Sequence, residues 1–285
     1  VSSAVALNAI AKGLAQSKTY NICVVMPRDY EVVDWNFFQR CLFGIQEMAE
    51  TVGYDILLTM CQMNDISSLE RIVANHKVDG VILMRTFLED AQIEFLQQKN
   101  IPFVTTGSTN YEGVIQIDHN HRSACRELTS IILLKNLKRI ALIGEDEGYM
   151  VTHSRLLGFR DAYEQRGEAL NENLLYLSPE NRVRVDRTVK EILEQNVDCI
   201  LCMDDAVTSR VLKVLREQHV RVPQDVRVAS FYDSTILEYD TRAAWYGLYK
   251  CVLLSVQRPT DQRDLLKEVI HYVRSYQNRW QAVQR

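Results

Sequence analysis

From Asn21 onward, short apolar runs alternate with amphipathic stretches of about 12 to 18 residues, the pattern of βα units wrapped around a mostly parallel sheet. The runs predict strands at 21–26, 55–60, 79–84, 101–105, 113–118, 139–143, 198–202 and 226–231. Between them the helical period fits 35–52, 66–76, 89–99, 120–135, 151–167, 182–195 and 205–219. The first helix carries Phe38, Leu42, Ile45, Met48 and Ala49 on one face and closes at Gly53-Tyr54. Its aromatics Phe38 and Phe43 read as core. So many strands exceed one mononucleotide-binding half. The expectation is an α/β fold of two Rossmann-like lobes with parallel sheets and a ligand crevice between the carboxyl ends of their strands. No Gly-x-Gly-x-x-Gly follows the first strand and no Gly-x-x-x-x-Gly-Lys-Ser/Thr occurs, so dinucleotide and P-loop chemistry lose their support and no cofactor is expected.

The 285 residues, 47% hydrophobic and 25% charged, suffice for a substantial core without disulfide or metal. A net charge of −4 argues against a phosphate-tracking surface on this chain, so any DNA contact has to be local. Seven cysteines, an odd number, sit mostly inside apolar runs, which is the usage of a reduced compartment. Cys199-x-x-Cys202 lies within one apolar strand, and no second pair follows at ligand spacing. No apolar run reaches membrane-span length and no signal peptide is recognisable, so a cytoplasmic location without membrane contact is expected. The segment 1–20 holds an apolar stretch, Val5 to Ala15, too short and too weakened by Gly13 to stand alone as a helix.

An ordered set of motifs carries a resemblance. Leu7-Asn8-Ala9-Ile10-Ala11-Lys12-Gly13-Leu14 precedes Lys18-Thr19-Tyr20-Asn21-Ile22-Cys23-Val24-Val25; Gly53-Tyr54-Asp55-Ile56 and Val78-Asp79-Gly80-Val81-Ile82 follow. Ile101-Pro102-Phe103-Val104, Arg139-Ile140-Ala141-Leu142-Ile143-Gly144, Arg155-Leu156-Leu157-Gly158-Phe159, Asp204-Asp205-Ala206 and Val222-Pro223-Gln224-Asp225-Val226 complete it. From residue 5 to about 238 the chain resembles the hinge and effector-binding region of LacI/GalR-family transcriptional regulators. The resemblance implies two periplasmic-binding-protein-like lobes of type I, a homodimer, and closure on a small-molecule effector, a sugar or sugar derivative, whose differential affinity shifts DNA binding. It also implies a division into a hinge remnant at 1–20, a first lobe at 21–117, a second lobe at 118–239 and a diverged tail at 240–285. In such regulators a helix-turn-helix precedes the hinge. This sequence starts at Val1, so it is expected either to be a piece of a longer regulator or to lack that head, and operator DNA is a partner only if the head exists. The residue matching Leu14 wedges into the minor groove in the family. After Tyr239 the match fades through Asp240 to Gly247, by divergence or a reading-frame change, although Leu265, Leu266, Val269, Ile270 and Val273 still suit an amphipathic helix.

Candidate effector contacts come partly from the motifs and partly from strand ends. Arg155 matches the arginine of the family's Arg-x-x-Gly-Phe/Trp motif, whose planar donor fork suits hydroxyls or carboxylates. Asp204 matches a common ligand-contacting position, while Asp205 reads as a cap for the next helix. Tyr232 stands where the family usually has a carboxylate, which points to an effector less polyhydroxylated than a hexose, or more anionic. Asp29, Trp35 and Arg85 follow the first and third strands and are expected to face the crevice, Trp35 with a ring suited to stacking. Asp118-His119-Asn120-His121 has ligand-type residues, but two histidines two apart at a helix start point in different directions, so no metal is expected and Asp118 is read as hinge-proximal. A solute-binding receptor of the same fold is the alternative, and a metal-dependent hydrolase using Asp204 and Asp205 is a further one, lacking supporting motifs. The chain is not expected to be an enzyme.

Overall fold

The computed structural model describes residues 18–28, 35–63, 65–178 and 184–231, with the helical backbone alone at 35 and 36. The chain folds as two compact units, and among the described residues the break falls between Asp118 and His119.

The first unit contains β1 (Asn21–Pro27), α1 (Trp35–Thr51), β2 (Asp55–Cys61), α2 (Ser67–Ala74), β3 (Gly80–Leu83), α3 (Ala91–Gln98), β4 (Phe103–Thr106) and β5 (Ile115–Ile117). Its five strands are parallel in the order β2-β1-β3-β4-β5. β1 is buried from Ile22 to Pro27, as a strand flanked on both sides must be when helices cover both faces. Asp90 caps α3 by accepting from the Gln92 and Ile93 amides at 3.0 and 3.1 Å. Phe38 is core, as its position on the apolar stripe requires. Phe43 is not: it is 62% exposed, because five residues beyond Phe38 a helix has turned well away from the stripe.

The second unit contains α4 (His121–Leu134), β6 (Ile140–Gly144), α5 (Met150–Arg166), a 3-10 turn (Glu172–Leu174), β7 (Leu175–Leu177), α6 (Val185–Glu194), β8 (Cys199–Cys202), α7 (Asp205–Glu217) and β9 (Arg227–Ser230). Its four strands are parallel in the order β7-β6-β8-β9. β7 is the strand the apolar pattern misses; it has three residues, all half-buried at the sheet edge, too short to leave a periodic signal. Along β8 the side chains alternate between two layers. Cys199, Leu201 and Met203 pack with Cys125, Leu128, Leu156 and Phe159 of α4 and α5, while Ile200 and Cys202 pack with Val189, Ile192, Val207 and Val211 of α6 and α7. Cys199 and Cys202, three apart on a strand, therefore point into opposite layers and cannot share a metal ion or form a disulfide.

Gly158 explains the closeness of α4 and α5. A Cβ there would lie 2.9 Å from the Arg122 carbonyl carbon and 3.0 Å from Cys125 Cβ, so only glycine allows this approach. Beside it, Arg122 forks onto Asp161 at 2.6 and 2.8 Å. α5 ends at Gly167, whose φ of 63° supplies the left-handed turn.

Candidate functional site

In each sheet the winding reverses beside the first strand: between β1 and β3 in the first unit and between β6 and β8 in the second. The carboxyl ends of the strands flanking such a reversal leave a crevice, because the connections depart in opposite directions.

In the second unit this position is built from Gly144, Met203, Asp204 and Arg155. Met203 follows β8, and its amide donates to Ile143 O at 2.9 Å, continuing the β6–β8 pairing. Gly144 is the last residue of β6, and a Cβ there would meet Met203 Cγ at 2.9 Å and Leu177 Cδ2 at 3.0 Å. Arg155 lies in the second turn of α5 and reaches the end of β8, where its Nη1 donates to the Met203 carbonyl. Its Nε is buried and finds no hydrogen-bond partner among the described residues. A guanidinium N–H without a partner in a dry setting is costly, and a polar ligand that accepts from it removes that cost.

Asp204 is adjacent, 7% exposed, and caps α7 by accepting from the Val207 amide at 2.7 Å. This corrects the expectation that Asp205 caps the helix: the extended backbone at Asp204 makes it the N-cap, and Asp205 is the first helical residue, fully buried. A second support joins the cap to β9. Ser230 Oγ lies 3.0 Å from Thr208 Oγ1, which donates to the Asp204 carbonyl. The sequence gives no sign of this chain of hydroxyls, nor of the Met203 carbonyl as the partner of Arg155, since a backbone acceptor has no residue signature.

In the first unit Arg85 follows β3, beside the β1–β3 reversal, with its guanidinium carbon 5.6 Å from the centre of the Phe38 ring. Trp35 is the first residue of α1. Asp29, Tyr232 and Leu14 lie outside the described residues. The structure thus brings Arg155 and Asp204 together at one strand end and sets Arg85 at the corresponding position of the other unit. At the junction of the units, Asp118 accepts from the Ser108 amide at 2.7 Å, Asn120 caps α4 through Ser123 N at 3.0 Å, and the His119 and His121 rings meet edge to face at 5.9 Å. Among the described residues no group of three or more His, Cys, Asp or Glu side chains is placed to hold a metal ion, and no helix is long and apolar enough to cross a membrane.

Comparison with known proteins bears on this geometry. Residues 133–244 match the family described as a periplasmic binding protein-like domain. Catabolite control protein A of Staphylococcus xylosus is 24% identical over 235 residues, 81% of this chain and 70% of that protein. Among solved structures, the complex of the transcriptional regulator CelR with cellobiose superposes with a TM-score of 0.72 at 23% identity, covering 80% of this chain and 72% of that one. The chain has the fold of LacI-type transcriptional regulators. A putative LacI regulator from Bacillus cereus subsp. cytotoxis agrees, with a TM-score of 0.72, 22% identity and coverage of 80% and 84%. On this LacI-type frame, the arginine and glycine of the Arg155-x-x-Gly158 motif have separate physical tasks: Arg155 presents donors at the end of β8, and Gly158 seats its helix against α4.

Proposed function

We infer that this LacI-type chain is the effector-sensing part of a transcriptional regulator, taking up a sugar or related small polar metabolite at the carboxyl ends of its strands and thereby controlling DNA binding. The observation that carries this reading is the Arg155 guanidinium: one N–H anchored on Met203 O, and a buried Nε with no partner among the described residues, at the β6–β8 reversal. A planar donor group fixed at one edge suits vicinal hydroxyls or a carboxylate. Arg85, at the corresponding strand end of the first unit, offers a second group of the same kind. In this reading Asp29, Trp35, Asp204 and Tyr232 are further effector contacts, and operator DNA is read by a helix-turn-helix in a regulator that carries one, with Leu14 at the minor groove. The protein acts in the cytoplasm as a homodimer, and its chemistry is binding, without turnover.

The test is thermal unfolding of the chain with a panel of mono- and disaccharides, sugar phosphates and sugar acids at millimolar concentration, for wild type, Arg155→Ala and Arg155→Lys. A responsive compound raises the wild-type Tm by mass action, since a ligand at about 100 times its Kd adds about 2.7 kcal/mol. Arg155→Ala is expected to remove that rise with its own unliganded Tm little changed. Arg155→Lys is expected to recover only part of it, because an ammonium lacks the planar fork. An undiminished rise in Arg155→Ala removes Arg155 from the site, and no response to any class of compound overturns the sensor reading.

A further inference from the structure

The described chain enters the first sheet through a tight arrangement of three residues. Asp79, immediately before β3, accepts from Thr19 N at 2.7 Å and Thr19 Oγ1 at 2.8 Å through one carboxylate oxygen, and from Tyr20 N at 3.0 Å through the other. Tyr20 has a φ of 57°, a left-handed conformation that an aromatic side chain rarely adopts. It is held from every side: its carbonyl accepts from Asp55 N at 2.8 Å, and its ring sits 5.5 Å from that of Tyr54. Burial, and then the Asp79 carboxylate, push the Tyr54 phenol up to about 12, so it stays protonated beside that carboxylate.

The second unit repeats part of this device. Asp198, immediately before β8, accepts from Lys138 N at 2.9 Å and Arg139 N at 2.8 Å, just ahead of β6. β8 stands to β6 as β3 stands to β1, so a carboxylate fastening the lead-in of the first strand belongs to both units. Two features have no counterpart at Asp198 among the described residues: a third hydrogen bond, from the Thr19 hydroxyl, and a left-handed residue directly before the first strand, for Arg139 is not among the positive-φ positions. There the lead-in is the polypeptide that joins residues 1–17 to the sheet.

We propose that Asp79 is the positioning residue that clasps Thr19 and Tyr20, and so fixes the direction in which the chain runs from Lys18 into β1. With the hydrogen bonds released, Tyr20 relaxes to an extended conformation and that direction is no longer set. The functional weight of the clasp rests on the regulator reading, in which residues 1–20 are the hinge segment toward DNA; its existence does not.

Trypsin reads the clasp directly, because cutting the Lys18–Thr19 bond requires Thr19 and Tyr20 to leave Asp79 and fit an extended protease groove. Cleavage of the full chain is followed by mass spectrometry in wild type, Asp79→Ala and Thr19→Val, with cuts after Lys138 and Arg139 as the reference and urea unfolding run alongside. Loss of the charge-assisted bonds in Asp79→Ala is expected to speed the Lys18 cut about tenfold or more, and loss of the hydroxyl bond in Thr19→Val by about threefold, with the reference cuts unchanged. An unchanged Lys18 rate in both variants overturns the clasp. Equal acceleration at Lys18 and at the reference sites also overturns it, showing general unfolding in place of local release; Thr19→Val, the milder change, decides if Asp79→Ala does not fold. A clasp that behaves as expected in a chain that answers no ligand leaves this inference standing and sinks the regulator reading.

Discussion

Replacing Gly158 with alanine puts a methyl group where α4 already is. The new Cβ would lie 2.9 Å from the Arg122 carbonyl carbon, closer still to its oxygen, and 3.0 Å from Cys125 Cβ, whereas ordinary contact begins at 3.4 Å. The obstructing oxygen belongs to helical backbone, so no rotamer change clears it and the two helices have to part. Overpacking of a dense core costs about 1–3 kcal/mol, and the upper end applies because backbone is what must move. Alanine returns about 1 kcal/mol as the better helix former. The net expectation is a loss of about 2 kcal/mol, concentrated where Leu128, Leu156 and Phe159 meet. Urea unfolding followed by far-UV circular dichroism measures it as a lower midpoint at unchanged slope. Gly167→Ala is the control: nothing lies within 4 Å of its Cβ, so the cost there is the left-handed φ alone, about 1 kcal/mol. A Gly158→Ala protein as stable as wild type would refute the reasoning, since the clash would then cost no more than the helix-propensity gain of about 1 kcal/mol. Because the same helix carries Arg155, a parted α4–α5 pair is also expected to weaken whatever Arg155 binds.

Two further expectations follow from the same geometry. Asp204 has a structural task and a proposed ligand task, and substitution separates them: Asp204→Ala loses the cap and about 1 kcal/mol, whereas Asp204→Ser keeps a capping oxygen and stays within a few tenths of a kcal/mol of wild type. An intact effector response in stable Asp204→Ser would leave Asp204 as a cap only. Burial pushes the thiols of Cys23 and Cys199 up to about 12, and those of Cys61, Cys125 and Cys202 are also raised, so at pH 8 their thiolate fractions are small and the atoms are out of reach. Site-by-site alkylation mapping should therefore find half-buried Cys41 labelled well before these five in the folded protein, and all of them after denaturation. Labelling of Cys199 or Cys202 as fast as Cys41 would restore a reactive role for that pair.

The sequence by itself determined the order and kind of nearly every element, because strands buried on both faces and helices buried on one leave apolar runs of different period. It also carried the resemblance that led to Arg155 and Asp204, since a motif at fixed spacing is preserved along the chain. Tertiary structure alone decided what depends on which strand lies beside which. The crossing order that sets β6 against β8 brings Arg155 to the Met203 carbonyl, forty-eight positions away. In the first unit the pairing of β1 with β3 lays Asp79 against Thr19 and Tyr20, and in the second the packing of α4 on α5 lays Arg122 against Gly158. Backbone acceptors and a missing Cβ have no signature in residue type, which is why these partners were not legible. The same holds for Phe43, an aromatic whose exposure follows from helix phase, and for Asp204 over Asp205 as cap, which turns on a single extended backbone angle. Local chemistry is written in the sequence order; the pairing of distant groups is fixed only when the sheet closes around them.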